Sequence, residues 1–387
     1  MIGLMSSNEF REIAHSGGKV IIRIGPDPHG RRAYQQTWTH QRPVASAIFA
    51  IYALPQGVPV CTVPLGGMGS PIPVPPIPGC FMLFISSDSE GKFGHHCPVC
   101  KGYWRDEAGT QYCPYCGLRE SGHAFLSDAQ QSYVQQYCEK MREAMAEEKD
   151  GEYVIDMDAV ADAAGSDSEK PPFYYAEESQ QNKFKCNACG SYNDILGVYG
   201  YCSRCGTRHD FQELSEKVIP AIRERINAGG QYEACVRDAV SAFDSVTGGY
   251  VKQLLQHVPL TQARRNKLEG KRFQNLQQVR EDLEEVFGID IQDGIGSADF
   301  EFAKLMFHRR HVHEHKGGEA DEKYIADSGD KSVRPKQALR ETQDSAHRTC
   351  GLVVKMAGNL HRGFHEILPA DDGPIKQYER WKPKPSA

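Results

Sequence analysis

A chain of 387 residues has room for two to three domains. Its composition, 40% hydrophobic and 25% charged, excludes a collagen, a wholly disordered chain and a coiled-coil rod. A net charge of −6 excludes a globally basic nucleic-acid binder, so any nucleic acid must be held by a local patch.

Residues 1–96 read as a β-rich region. Lys19–Ile24 and Cys80–Ile85 carry the branched and aromatic residues of strands. Between them the proline run Pro71–Pro78 must be extended, either as a rigid loop or as a ligand for a protein partner. The apolar run Val44–Leu54 falls short of the ~18 residues of a membrane span. With no basic, apolar leader at the start, the expectation is a cytoplasmic protein with no membrane attachment.

Residues 97–120 and 184–210 hold four-cysteine clusters. Residues 121–183 read as an acidic helical connector and linker. Residues 117–183 carry 15 acidic and 6 basic side chains, net −9. Tyr133, Val134, Tyr137, Met141 and Met145 recur at helical spacing over 127–149, behind Ser127 as a cap. The polar stretch 165–181, with Pro171-Pro172, is the linker candidate.

From Ser215 onward the periodicity is helical. Helices are expected around Val218–Ile226, over Tyr232–Val246 and Tyr250–Val258, then over Phe273–Phe287, Ala298–Lys316 and Lys336–Leu368. Short connections make residues 211–370 an all-α bundle, followed by a tail at 371–387. The expected fold class is α+β multidomain.

Thirteen cysteines are many for a reducing compartment, and eight fall into C-x-x-C pairs. Cys97-x2-Cys100-x12-Cys113-x2-Cys116 recurs 89 residues later, with identical spacing, as Cys186-x2-Cys189-x12-Cys202-x2-Cys205. Two such turns on facing hairpins supply four soft ligands, and Gly117, Gly190 and Gly206 allow the tight return past a ligand. Each cluster resembles a zinc ribbon, which implies two structural zinc ions per chain. A thioredoxin-like redox pair or an iron–sulfur site fits the paired spacing less well. His95, His96 and His209 flank the clusters, but four cysteines suffice. Cys61, Cys80, Cys138, Cys235 and Cys350 have no such partners. Tyr103, Trp104, Arg105, Tyr192, Tyr199 and Tyr201 in the ribbons either stack on bases or cover a small core.

The densest chemistry is Phe307–Gly318, with histidines at 308, 311, 313 and 315 beside Arg309-Arg310. Three readings compete. His311 and His315, four residues apart, can share a metal, though the arginines repel a cation. The histidines can simply cap an exposed helix end. Or Arg310, with the histidines, can serve RNA cleavage. RNA brings its own nucleophile, the 2′-hydroxyl, so the site needs a proton acceptor, a proton donor and a cation for the phosphorane.

Arg310-His311-x3-His315, in a helix followed by Gly317-Gly318 and Asp321–Ile325, resembles the R-polar-x3-H motif of HEPN ribonucleases, over about residues 215–370. The resemblance implies a helical homodimer with a composite site and a metal-independent endoribonuclease of toxin or antiviral-defence type. Its products would be a 2′,3′-cyclic phosphate and a 5′-hydroxyl. Arg310, His311 and His315 would carry the activity, from an exposed helix end, with His313 as the rival to His315. A second basic cluster, Arg264, Arg265, Lys267, Lys271 and Arg272, is either an RNA track or a solvated loop. The alternative function is a zinc-ribbon adaptor or sensor whose helical domain only dimerises or binds RNA.

Overall fold

In Lys19–Pro26 buried and exposed residues alternate, and Val20, Ile22 and Ile24 turn to one face. This strand, β1, is the middle strand of a three-stranded sheet in the first of two compact units in a computed structural model of the chain. The structure describes residues 18–39, 47–64, 73–88, 90–147, 149–165 and 180–382, with Ile13 and Ala176 besides. The first unit comprises 1–197, 201–206 and 372–387, and the second 198–200 and 207–371. The linker candidate at 165–181 lies almost wholly outside the described residues.

In the first unit β1 pairs antiparallel with β2 (Arg32–Thr39) on one side. On the other it pairs with β8 (Gly151–Asp156). The segment read as a helical connector therefore also supplies an edge strand. A second antiparallel sheet has the order β4-β3-β5, from β3 (Ile48–Ala53), β4 (Pro59–Val63) and β5 (Phe81–Ser86). The run Val44–Leu54 thus contains the central strand of this sheet. Helix α1 (Asp128–Ala146) starts at a capping box of Ser127 and Gln130. Its Val134, Tyr137 and Met141 share a core with Ile22, Leu83, Ile85 and Val160 of α2 (Met157–Gly165).

The two cysteine clusters do not form separate sheets. Strands β6 (Phe93–His96) and β7 (Tyr103–Asp106) of the first join β10 (Tyr192–Leu196) and β9 (Gln181–Lys185) of the second. The order is β6-β7-β10-β9. The join is short: Asn193 faces Asp106 and Asp194 faces Arg105. Buried Arg105 holds it by pairing with Asp88 at 2.6 Å and Asp194 at 3.7 Å.

The residues after 371 are not a loose tail. Helix α11 (Asp372–Trp381) packs on the second cluster through Ile375. Gly190, at φ +73°, lies so close that an added Cβ would sit 2.4 Å from the Tyr378 ring. Gly190→Ala should therefore detach α11, read as faster proteolytic cleavage at Lys376 and Arg380. Gly197→Ala is the control. It has the same left-handed strain, at φ +86°, with open space around it, so it should leave α11 in place.

The second unit is helical. Helix α3 (Asp210–Glu213) runs through a π turn, Leu214–Val218, into α4 (Ile219–Asn227). Then come α5 (Tyr232–His257), α6 (Gln262–Asn266) and α7 (Leu276–Phe287). They are followed by α8 (Ser297–His315), α9 (Glu322–Ser328) and α10 (Gln343–Ile367).

Two expectations are corrected. Helix α5 is continuous where a break was expected at Gly248-Gly249. The glycines sit against neighbours instead: a Cβ on Gly249 would meet Asp210 Oδ1 at 2.7 Å. Helix α10 starts at Gln343 rather than Lys336, because Thr342 and Ser345 form a capping box there. The residues before it bond back to the turn after α8, with Leu339 N donating to Gly318 O at 2.8 Å. The core runs along α5, α8 and α10 through Val240, Phe243, Phe307, Val353, Met356 and Leu360. No helix among the described residues is long and apolar enough to cross a membrane.

Candidate functional site

The cysteine spacing folds into four matching turns. Lys101 N, Gly117 N, Gly190 N and Gly206 N each donate to the carbonyl of the cysteine four residues before, at 3.0, 3.0, 2.7 and 2.9 Å. All four sit at positive φ, Lys101 (φ 60°) taking the place of a glycine. The turns bring the sulfurs of Cys97, Cys100, Cys113 and Cys116 within 4.8 Å of one another, and likewise those of Cys186, Cys189, Cys202 and Cys205.

Cys97–Cys116 and Cys100–Cys113 are 3.7 and 3.6 Å apart, Cys186–Cys205 and Cys189–Cys202 3.7 and 3.6 Å. Disulfide sulfurs lie ~2.05 Å apart, so these are not disulfides. A tetrahedral ion at ~2.3 Å from each sulfur would separate them by ~3.8 Å, close to the observed spacing. The donor sets fit two metal ions. Asn193 Nδ2 donates to Cys202 Sγ at 3.6 Å and supports the second set.

The flanking histidines are otherwise engaged: His95 Nε2 lies 2.8 Å from Asp106 Oδ1. Tyr103, Trp104, Arg105 and Tyr201 are buried in the ribbons and so cover the core. Of the unpaired cysteines, Cys138, Cys235 and Cys350 are buried, Cys61 and Cys80 partly so.

Helix α8 distributes its arginines and histidines over different faces. Arg309 and His313 turn inward: Arg309 bonds Asp330 at 2.8 Å and Glu341 at 3.1 Å, and His313 lies 3.5 Å from Glu341. They pin the segment before α10 and are structural. Arg310, expected at an exposed helix end, is 6% exposed. Its guanidinium donates to Gln274 Oε1 at 2.9 Å and Ser241 Oγ at 3.4 Å, and pairs with Glu314 at 2.6 Å. The cause is the loop before α7, which folds over that face and brings Gln274 to it. His311 and His315 are exposed, with ring centroids 4.9 Å apart.

Arg310 and His311 line a cleft of about 350 Å³ with His308, Lys316, Lys323, Asp327, Gln274 and Asn275. His315 stands outside this lining. Burial pushes the His308 imidazole below its usual range, and Asp327 works against that. Burial also lowers His311, aided by His315, Lys316, Arg310 and Lys323. The cleft thus joins two proton carriers to three cations.

Sequence reasoning had no role for His308, Lys316 or Lys323. The signal for His308 was its spacing of three from His311, which shares a helix face. The two lysines needed α9 to be placed. The second basic cluster is partly consumed by the fold: Arg265 donates to Leu255 O at 2.7 Å and Lys271 to Asp282 at 3.0 Å. Lys267 pairs with Glu285, while Arg264 and Arg272 are exposed. Comparison of the chain with known protein families, curated proteins and solved structures gives no match, so the residues themselves carry the functional argument.

Proposed function

We propose that the chain is an endoribonuclease of HEPN type that cleaves RNA by attack of its own 2′-hydroxyl and needs no metal for the step. The observation that supports this is the cleft on α8, where Arg310, Lys316 and Lys323 stand with two imidazoles that burial lowers from their usual range. Cations bind the phosphodiester, and a neutral imidazole accepts the 2′-hydroxyl proton. Arg310 serves as the phosphate cation, His311 as the proton acceptor, and His315, whose ring lies tilted against His311, as an outer support. The two cysteine sets hold zinc and brace the ribbon sheet. The HEPN resemblance adds a homodimer through the helical unit.

One observation favours the adaptor reading. Arg310 already has Gln274, Ser241 and Glu314 as partners, which suits a residue that only holds the fold.

The test is incubation of the purified protein with total RNA, in EDTA dilute enough to leave the ribbons loaded, with analysis of the ends. Cyclic phosphate and 5′-hydroxyl ends are expected. His311→Ala should stay folded, since the side chain is exposed, and should lose ~10²–10⁴-fold in rate. Arg310→Ala should lose cutting and also stability, because Gln274 and Glu314 lose a buried partner, costing about 1–3 kcal/mol. Unchanged cutting in Arg310→Ala/His311→Ala would hand the function to the adaptor reading.

A further inference from the structure

We infer that each chain carries its complete proton-transfer pair within one cleft, with His311 as the base and His308 as the acid. This rests on the ribonuclease reading and departs from the composite, two-chain site that the motif implies. Three observations carry it. First, His308 and His311 both line the cleft, whereas His315 does not. Second, residues three apart on a helix have Cβ atoms ~5–6 Å apart, a span that lets two imidazoles flank one phosphate. Third, their surroundings differ in the required sense. His311 is faced by the cations Arg310, Lys316 and Lys323 and by His315. His308 is faced by Lys304 of its own helix and by the carboxylate of Asp327 from α9. Cations keep His311 neutral and able to accept a proton. In the free cleft, burial and Lys304 hold His308 low and Asp327 opposes them; the negative phosphodiester adds to Asp327, so that His308 takes up its proton with the substrate bound. Burial lowers both imidazoles; the sign of the charged neighbours is what differs between them, and that difference assigns base and acid.

The step balances within the cleft. His311 takes the proton of the 2′-hydroxyl as the bond from 2′-oxygen to phosphorus forms. The bond from phosphorus to the 5′-oxygen breaks, and His308 gives that oxygen its proton. The products are a 2′,3′-cyclic phosphate and a 5′-hydroxyl. His308 leaves the turnover neutral and His311 protonated, and exchange with water restores both. Asp327 acts through His308 and is a positioning residue.

The test uses the full chain and two substrates, RNA and uridine 3′-(4-nitrophenyl phosphate). The nitrophenolate departs without a proton, so it needs the base and not the acid. His308→Gln should cut RNA ~10²–10⁴-fold more slowly than the parent and lose the alkaline limb of the rate profile. It should cut the nitrophenyl ester nearly as fast as the parent. His311→Ala should lose both substrates. Asp327→Asn should move the alkaline limb to lower pH.

If His308→Gln cuts RNA at the parental rate, or loses both substrates equally, His308 is not the acid and the inference is overturned while the ribonuclease reading stands. A mixture of His308→Gln and His311→Ala chains should stay inactive. Recovered cleavage would mean that the pair is completed between chains, which also overturns it. A parent that cuts neither substrate defeats the ribonuclease reading itself, and this inference with it.

Discussion

Cys202→Ser should leave one bound metal equivalent per chain where the parent should bind two, and should unfold the second ribbon. Cys202 is fully buried and sits 3.6 Å from Cys189 in its sulfur tetrahedron. A hydroxyl there is a poor ligand for a soft ion and leaves three sulfurs to hold it. Metal binding in a ribbon contributes ~10–16 kcal/mol of apparent free energy, as much as the whole stability of an ordinary domain. Few apolar residues replace it: the second cluster packs on little more than Ala188 and Ile375.

The damage should spread along particular bonds. Asn193 loses its bond to Cys202, and the Ser203 N–H that donates to Asn193 Oδ1 at 2.8 Å loses its fixed partner. Ser203 O in turn accepts from Gln111 and Tyr112, so the turn before Cys113 loosens. Elemental analysis reads the first effect, and hydrogen exchange of β9 and β10 the second. The helical unit should keep its protection. Metal near zero in folded parent protein would remove the centres from consideration.

The helical unit should lose stability steeply as pH falls below about 6.5, through buried histidines: burial lowers His209 to about 4, and His361 and His365 add two more. Arg208 N–H donates to His365 Nε2 at 3.1 Å, so that nitrogen carries no proton. The other, Nδ1, lies 3.1 Å from Leu368 O and is the donor. Both nitrogens are thus satisfied in the neutral ring, and a second proton would face the Arg208 N–H. His361 is bonded to Tyr250 at 2.7 Å. Burial, with His365 and Arg208 adding repulsion, lowers it to about 3. Burial lowers His365 to about 4 against the bond to Leu368.

Unfolded histidine titrates near ~6.5. Between roughly pH 6.5 and 4 the unfolded chain therefore binds protons that the folded unit refuses. Stability is full above that window and falls as pH drops through it. Three protons give about 4 kcal/mol per pH unit, enough across the window to approach the 5–15 kcal/mol of a whole domain. Exchange protection of α5 and α10, followed against denaturant at several pH values, measures the slope. Tyr250→Phe/His361→Phe replaces both members of one bond by apolar rings and should remove one proton's share of the slope, about 1.4 kcal/mol per pH unit. A flat profile would mean that the three rings are solvated in the folded state.

The sequence by itself determined the features whose cause is local. The repeated cysteine spacing dictates two four-sulfur centres, because C-x-x-C turns close over a few residues. Helical spacing from Tyr133 to Met141 dictates α1, and Ser127 its start, because a cap acts within one turn. The apolar faces in 232–367 mark helices for the same reason.

Only the tertiary structure decided what depends on distant partners. β8 carries Tyr153, Val154 and Ile155, which suit a strand, inside an acidic stretch that reads as a connector; its place at the sheet edge is set by β1, where Ile155 opposes Val20 across the ladder. Gly248-Gly249 read as a break, yet α5 runs through them: Asp210 fills the space that a Cβ on Gly249 would take, so the glycine serves packing and not a turn. The two ribbons meet where β7 pairs with β10, with Arg105 of the first reaching Asp194 of the second. The candidate site shows the same division. Its motif is visible as residues on α8, but the burial of Arg310 is set by Gln274, 36 residues away in sequence. His308 gains its place because α9 brings Lys323 and Asp327 to the same cleft. A side chain's helix face follows from its spacing. What that face meets is fixed by whichever elements pack against it, and their apolar residues, not the motif, determine that packing.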